Sequence, residues 1–528
     1  MQIAAFLAFT SLVAIISYWK TRSTDENSSD GYFLGGRSLT GVVIAGSLLL
    51  TNLSTEQIVG LNGAAFKEGI LVMAWETLAA VAMVVTAVFL LPRYLKGGIA
   101  TLPQFLERRY DTMTKTLTSG LFLTGYAVIL LPIVLYSGAL AINSMFEIPE
   151  MLGVSKNTAL WITVWGIGII GSIYAIFGGL KAVAVSDLIN AIGLLIGGLL
   201  IPIFGLMEIG DNSITKGLST LMADNPEKFN SIGGPDSSIP FATIFTGMML
   251  VQLFYWGTNQ AIIQRALGAK DLKEGQKGLL LASFIKILGP IIVVLPGIIA
   301  FHLFDGTLDN PDEAYPMLVT RVLPSYFVGF FAAVLFGAIL SSFNSALNSS
   351  VTLFGIDIYQ TYFKKDATEK EVVWAGKKFG IGLAIISMCI APLLVYASDG
   401  LFGYLQEANG IYSIPILTII VVGYLTKYVP ASAAKIGLIS GSVLYIISQF
   451  VVKPYVGSDN YPHFLHVMAI LFVLNTLIML VIGNFRPRPE AYVQKYTEKV
   501  DITPWKYLRV SGIAICLIVL GIYIYFAG

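Results

Sequence analysis

What most constrains this chain is a run of apolar residues long enough to cross about 30 Å of hydrocarbon, repeated from one end to the other with polar connections between. The runs centre near residues 11, 49, 81, 130, 168, 196, 249, 290, 340, 386, 414, 441, 474 and 517, which predicts about fourteen membrane spans. In hydrocarbon each segment must pair its own backbone groups, so the spans are expected to be helices and the fold all-α. Charged residues make up 12% of the chain, against about 25% in a soluble domain. No stretch reads as a separate soluble domain, and residues 1–528 are expected to form one integral membrane unit. The eleventh run is the least regular, interrupted by Gln406, Glu407, Asn409 and Pro415. The first has no basic residue ahead of it and is followed by Lys20 and Arg22, so it reads as a retained span and not a cleaved leader.

Basic residues orient the stack. Of the 33 Lys and Arg, only Lys67, Lys156, Lys216, Lys228, Arg321 and Lys453 fall in even-numbered connections, and Lys286 falls within a span. An excess of Lys and Arg marks the cytoplasmic side. The odd connections are therefore expected in the cytoplasm, both termini outside it, and the protein in the cell membrane. A formal net charge of +1 with basic residues scattered over separate loops gives no footprint for nucleic acid. Cys389 and Cys516 lie within spans and form no disulfide or metal spacing. His302, His463 and His466 read as packing or interfacial groups, and no buried nucleophile–base set points to an enzyme.

Polar residues inside the spans carry the functional signal. The run at 335–360 holds Ser341, Ser342, Asn344, Ser345, Asn348, Ser349, Ser350 and Thr352. Hydroxyls and amides facing lipid are costly, so this helix must face protein, water or an ion. Ser341 and Ser342 offer neutral oxygens, which suit a hard monovalent cation; serine-mediated helix packing is the alternative. The second run is broken by Thr51-Asn52-Leu53-Ser54-Thr55-Glu56-Gln57, and the seventh by Gln252 and Tyr255-Trp256-Gly257-Thr258-Asn259-Gln260. These breaks lie five spans apart. Spans 2–6 and 7–11 would then be inverted halves that each begin with an interrupted helix, the pattern of a transporter with a midplane binding site. Glu56, Glu76, Asp187, Lys286 and Glu407 fall in or at the ends of spans, and each would cost at least about 2.5–3.5 kcal/mol if unpaired near a span centre. Gln57, Glu76, Gln252, Lys286 and Gln406 mix donors and acceptors beside Trp75, Tyr255 and Trp256. That mixture suits a neutral polyol, whose hydroxyls need both and whose C–H face packs on flat rings.

Several strings resemble signatures of a known family: TNLSTEQIVG (51–60), IYAIFGGLKAVAVSDLIN (173–190), FYWGTNQAIIQRALGAK (254–270) and LFGAILSSFNSALNSSVTLFGIDIY (335–359). With GYFLGGRSL (31–39) and GIATLPQFLERRY (98–110), they resemble the solute:sodium symporter family, in its sodium/glucose cotransporter branch, from about residue 31 to 425. The resemblance implies a LeuT-like fold of five-plus-five inverted repeats, about 40–210 and 239–425, with discontinuous helices. Peripheral helices would lie at about 2–19, 430–452, 463–484 and 507–527. It also implies alternating access, Na+ as coupling ion, a small sugar as cargo, the lipid bilayer as surroundings and a monomer as functional unit. Carried over residue by residue, the sodium ligands would be the carbonyls of Leu50, Leu53 and Ala338 with the hydroxyls of Ser341 and Ser342. The sugar would meet Asn52, Gln57, Glu76, Gln252, Lys286 and Gln406, with Tyr255 as inner gate. Gln252 stands where galactose-type members carry Asn, and Ala79 where they carry Ser, which leaves the sugar's identity open. Asp187, Asn344 and Ser345 match a second sodium site or release path, with Asn344 in place of an expected hydroxyl. The expected activity is sodium-coupled import of a galactose- or glucose-like hexose. A sugar acid, inositol or amino acid on the same fold, or a sodium-gated sugar sensor, are the alternatives.

Overall fold

The computed structural model describes residues 2–21, 28–308, 310–396, 401–457 and 460–527. These are helical almost throughout, with no strand among the described residues beyond the isolated bridge between Leu39 and Ala269. Arg22, used above in the orientation argument, lies outside the described residues.

Among the described residues, ten helices are long and apolar enough to cross a bilayer. Two bent pairs bring the number to twelve: Phe241–Gly257 with Gln260–Leu267, at 48°, and Leu272–Lys286 with Gly289–Leu303, at 50°. The first run forms the 20-residue helix Gln2–Thr21. The second run is cut at Leu53, where the backbone leaves the helix (φ −78, ψ 54), so Gly41–Asn52 has just 12 residues. Thr55–Glu68 restarts after Ser54 and leads through Gly69–Met73 into Ala74–Val85.

Spans five and six, together Lys156–Ile209, are two helices, Lys156–Ile176 and Gly179–Ile209, that meet at a kink at Gly179 (φ 59, ψ −175). A Cβ disfavours that backbone region, so glycine fits. Tyr32 fills the turn: a Cβ on Gly179 would stand 3.1 Å from its ring, and its hydroxyl donates to the Ile176 carbonyl at 2.9 Å.

The layers follow from burial. The window of the ninth span, Phe327–Phe363, is 83% buried, whereas Ala431–Val456, Phe464–Phe485 and Leu508–Tyr525 are 33%, 33% and 22% buried. The serine-rich helix is therefore enclosed by protein, as its hydroxyls require, and the last three helices are peripheral. Gly41–Asn52 and Ser325–Thr352 both pack on Lys156–Ile209, and Leu272–Lys286 packs on Gly41–Asn52 and Ala74–Val85. The connections fall into an odd-numbered and an even-numbered set. The odd ones are stitched together: Arg37 donates to the Leu267 and Gly98 carbonyls, each at 3.1 Å, Lys435 pairs with Asp111 at 2.7 Å, and the Leu272 amide donates to Asp501 at 2.8 Å. The long even connection at 209–238 carries the short helix Ile214–Asp224.

Candidate functional site

Glu76 sits in the first turn of Ala74–Val85, and Lys286 ends Leu272–Lys286 just before the bend. The Lys286 ammonium lies 2.6 Å from each Glu76 carboxylate oxygen, and both side chains are 0% exposed. Gln57, from the restarted half of the second span, donates to Glu76 Oε1 at 2.8 Å. Two opposite charges with added hydrogen bonds are the arrangement in which buried ions persist. Gly289 makes room, since a Cβ there would stand 2.2 Å from Glu76 Oε2. Gln252 Nε2 donates to the Trp75 carbonyl at 2.9 Å, and its Oε1 accepts from Trp256 Nε1 at 3.1 Å. Lys286 Nζ stands 5.7 Å from the Trp256 ring centroid. Gln57, Glu76, Gln252 and Lys286, drawn from four spans, thus form one buried cluster. Asn52 is buried beside the Tyr255 hydroxyl, and its Oδ1 has no hydrogen-bond partner. Tyr255 meets Trp256 edge to face at 5.3 Å. Gln406 is half-buried, and no hydrogen bond among the described residues joins it to this cluster. Its neighbour Glu407 pairs with Lys453 at 2.6 Å.

A cavity of about 840 Å³ lies beside the cluster, lined among others by Gly60, Trp75, Phe402, Glu407, Lys453 and His463. Trp75 and Phe402 meet edge to face in its wall, ring centroids 5.1 Å apart. Glu76, next to Trp75 in the chain, is fully buried. Residues of the even connections also line the cavity: Lys67 and Glu68, residues 235–238, Asp312, and residues 461–463. Glu68 Oε2 accepts from the Ser238 amide and hydroxyl at 2.9 and 2.8 Å. Burial pushes the His463 imidazole down to about 4 from its ordinary 6.5, which keeps it neutral near pH 7.

The second oxygen-rich cluster joins the break of the second span to the ninth span. Ser342 donates to the Thr51 carbonyl at 2.8 Å, and the Thr51 hydroxyl lies 3.4 Å from Ser341 Oγ and 3.1 Å from Ser345 Oγ. Leu50, Leu53 and Ala338 are all buried. A helix that stops leaves its last carbonyls without an intrahelical donor. The Thr51 carbonyl and the hydroxyls of Thr51, Ser341, Ser342 and Ser345 gather neutral oxygens of the kind that suits a hard monovalent cation. Asp187 is buried next to this set and accepts from Ser47 Oγ at 2.6 Å. Asn344 is buried with Oδ1 unpartnered. Further along, Ser349 donates to Gln264 at 2.8 Å, Ser350 to the Ala346 carbonyl at 2.8 Å and Thr352 to the Asn348 carbonyl at 2.8 Å, which makes them packing residues.

Three participants escape the sequence reading. Ser47 and Thr51 lie one turn apart on one face of Gly41–Asn52, a spacing legible in the sequence. Arg265, placed by residue counting in a connection, is 1% exposed and donates to Ser47 and Ser345. Its signal was its place in the half-helix that restarts after the break, where Asn259 caps by accepting from the Ala261 amide at 3.0 Å.

Comparison with known proteins agrees with this architecture. Residues 32–441 match the Sodium:solute symporter family. The chain is 48% identical over 523 residues to the Uncharacterized symporter YidK of Escherichia coli (strain K12), covering 99% of this chain and 90% of that protein. It is 31% identical over 476 residues to the sodium/glucose cotransporter of Vibrio parahaemolyticus, covering 85% of each. Among solved structures, a Na+-coupled sialic acid symporter in a substrate-bound outward-open state superposes with a TM-score of 0.77 at 20% identity, covering 93% of this chain and 98% of the other. Mhp1, a nucleobase-cation-symport-1 family transporter, superposes at 0.55 and 15% identity, covering 86% and 95%. These neighbours share the LeuT-like fold.

Proposed function

Because the chain belongs to the sodium:solute symporter family and is therefore a sodium-coupled solute symporter, we propose that its cargo is a neutral, polyhydroxylated solute of the hexose class. The observation that carries this reading is charge. Lys286 is the cation of the Gln57–Glu76–Gln252–Lys286 cluster, and Glu76 already matches it with both oxygens at 2.6 Å. A carboxylate solute would arrive as an excess anion, whereas a polyol finds donors and acceptors in balance beside flat rings. Asn52 and Gln406 complete the proposed solute shell, with Tyr255 as inner gate and the Trp75–Phe402 contact as outer closure.

The coupling ion is bound by the carbonyls of Leu50, Leu53 and Ala338 and the hydroxyls of Ser341 and Ser342. Sodium held there bridges spans two and nine and braces the restarted helix that carries Gln57. Each ligand then raises the other's affinity by the same factor, as linkage demands. The basic odd connections face the cytoplasm and the 840 Å³ cavity faces outward, with the monomer as working unit in the cell membrane. A potential of about 100 mV contributes ~2.3 kcal/mol per charge, and a tenfold Na+ gradient ~1.4 kcal/mol. One ion thus supports a solute gradient of several hundredfold.

The test is uptake of radiolabelled galactose into proteoliposomes under an inward Na+ gradient, with glucose, myo-inositol, a sugar acid and an amino acid as competitors. Concentrative, Na+-dependent uptake blocked by neutral sugars is expected. Competition by the sugar acid and none by neutral sugars would overturn the assignment of cargo.

A further inference from the structure

A groove of about 510 Å³ runs between the eighth and fourteenth spans, at the ends that meet the basic connections. Lys277, Leu280, Leu281 and Phe284 line it at helical spacing from Leu272–Lys286, and the same spacing recurs from Ser511 to Ile518 on Leu508–Tyr525. Leu281, Phe284 and Ile518 are 38%, 51% and 42% exposed, so within a span these walls meet lipid chains, which are as apolar as they are. The start of the second span closes the back. There the Gly41 amide donates to Glu274 Oε2 at 2.7 Å, and a Cβ on Gly41 would stand 2.9 Å from Lys277 Cβ. From Glu274 to Phe284, both in the lining, the helix rises about 15 Å. That is about half the hydrocarbon thickness, the depth of one leaflet.

Trp505 lines the shallow end, its amide held by Gln276 Oε1 at 2.8 Å, and tryptophan favours the headgroup level. The charged groups on the two segments that frame this end leave an excess of positive charge. Residues 270–277 and 501–509 hold Lys270, Lys273, Lys277, Lys506 and Arg509 against Asp271, Glu274 and Asp501. The three carboxylates are engaged within the chain. Asp271 accepts from the Glu274 amide at 2.7 Å, Glu274 from the Gly41 amide and from Lys277 at 2.8 Å, and Asp501 from the Thr503 amide at 2.8 Å. Lys273, Lys506 and Arg509 are exposed and make no ion pair among the described residues. An apolar slot one leaflet deep, with a basic rim and an interfacial tryptophan, is complementary to a lipid with an anionic head. We propose that this groove binds an anionic phospholipid, its phosphate against Lys277 and Lys506 and an acyl chain along Leu281, Phe284 and Ile518. The back wall is the first turn of the half-span that carries Leu50, so the bound lipid steadies the proposed ion site. That consequence, unlike the binding itself, rests on the sodium-symport reading above.

The experiment uses the full chain in mixed vesicles of phosphatidylcholine and phosphatidylglycerol, with one or the other brominated near the carboxyl ends of its chains. Quenching of Trp505 is read as the difference between wild type and Trp505→Phe. A basic residue at the membrane surface favours an anionic lipid about fivefold; Lys506 supplies this in full and Lys277, shared with Glu274, in part. Brominated phosphatidylglycerol is therefore expected to quench Trp505 at a mole fraction at least about fivefold below that of brominated phosphatidylcholine. Lys506→Gln should remove most of this preference, and Lys277→Gln combined with it should bring the two lipids to parity. Ala514→Phe, which fills the slot, should weaken quenching by both. Equal quenching by the two lipids in the wild type would mean annular lipid only and overturn the proposal. Quenching by neither would place another occupant, such as a second copy of the chain, in the groove and overturn it as well. If Ala514→Phe fails to fold, the wild-type comparison and the exposed Lys506→Gln decide. None of these readouts involves uptake, so a failure of the symport reading would leave them standing.

Discussion

Substituting Lys286→Met keeps the side chain's length and deletes its charge, which tests whether Glu76 and Lys286 are one electrostatic unit. Both are 0% exposed, and the ammonium touches both carboxylate oxygens at 2.6 Å. After the substitution Glu76 retains only the Gln57 amide at 2.8 Å. Stranding one partner of a buried pair costs about 3–5 kcal/mol, roughly a 150- to 4,000-fold loss in the folded-to-unfolded ratio. Glu76→Gln strands the ammonium and should cost a similar amount. The double substitution leaves no buried charge and keeps an amide within reach of Gln57. It is expected to be more stable than either single variant, with a coupling energy of at least about 2 kcal/mol. Denaturant unfolding in detergent, followed by tryptophan fluorescence, supplies the four stabilities of the cycle. Single effects that add to within about 0.5 kcal/mol would refute the idea of a unit.

Three further outcomes are expected. Ser342→Ala removes a proposed sodium ligand and the bond to Thr51 at 2.8 Å; the Na+ concentration for half-maximal uptake should rise about tenfold, and an unchanged value removes Ser342 from the ion site. Gly289→Ala places a Cβ 2.2 Å from Glu76 Oε2 and should cost about 1–3 kcal/mol by overpacking, whereas Gly403→Ala, with nothing within 4 Å, serves as a silent control in the same thermal melts. The unfolded chain protonates His463 near 6.5 and the folded protein only near 4, so this group makes stability fall as pH drops through that window and leaves it flat above. His463→Gln should abolish that part of the slope, and an unaltered stability–pH curve contradicts the assignment.

Much of this architecture was legible because the bilayer restricts the choices so strongly. Apolar length located the helices, and the cluster Asn52-Leu53-Ser54 within an apolar run marked the break that the structure places at Leu53. Glu76, Lys286, Gln57 and Gln252 stood out as polar groups in spans, and the structure joins them. The bend of the eighth span was missed, although Gly289-Pro290 carried its signal: proline has no N–H to continue the ladder, and Ile287 and Leu288 turn with tighter three-residue bonds to Phe284 and Ile285. Arg265 was hidden because counting charges by connection treats every residue beyond a span as loop. The sodium carbonyls of Leu50, Leu53 and Ala338 have no side-chain signature at all, so only the family resemblance could nominate them.

The turn at Gly179 has a mechanical consequence. A loop between two spans would let their ends slide apart, but here the backbone stays helical on both sides of a single glycine. Tyr32 wedges the angle with its ring and fastens it through the Ile176 carbonyl. Spans five and six therefore share a braced corner at one membrane face and are free only at the other. Any relative movement between them must open like callipers, and it sweeps Asp187, eight positions beyond the corner, through a short arc. The far ends, Lys156 of span five and Ile209 of span six, travel furthest, and the latter leads into the short helix Ile214–Asp224.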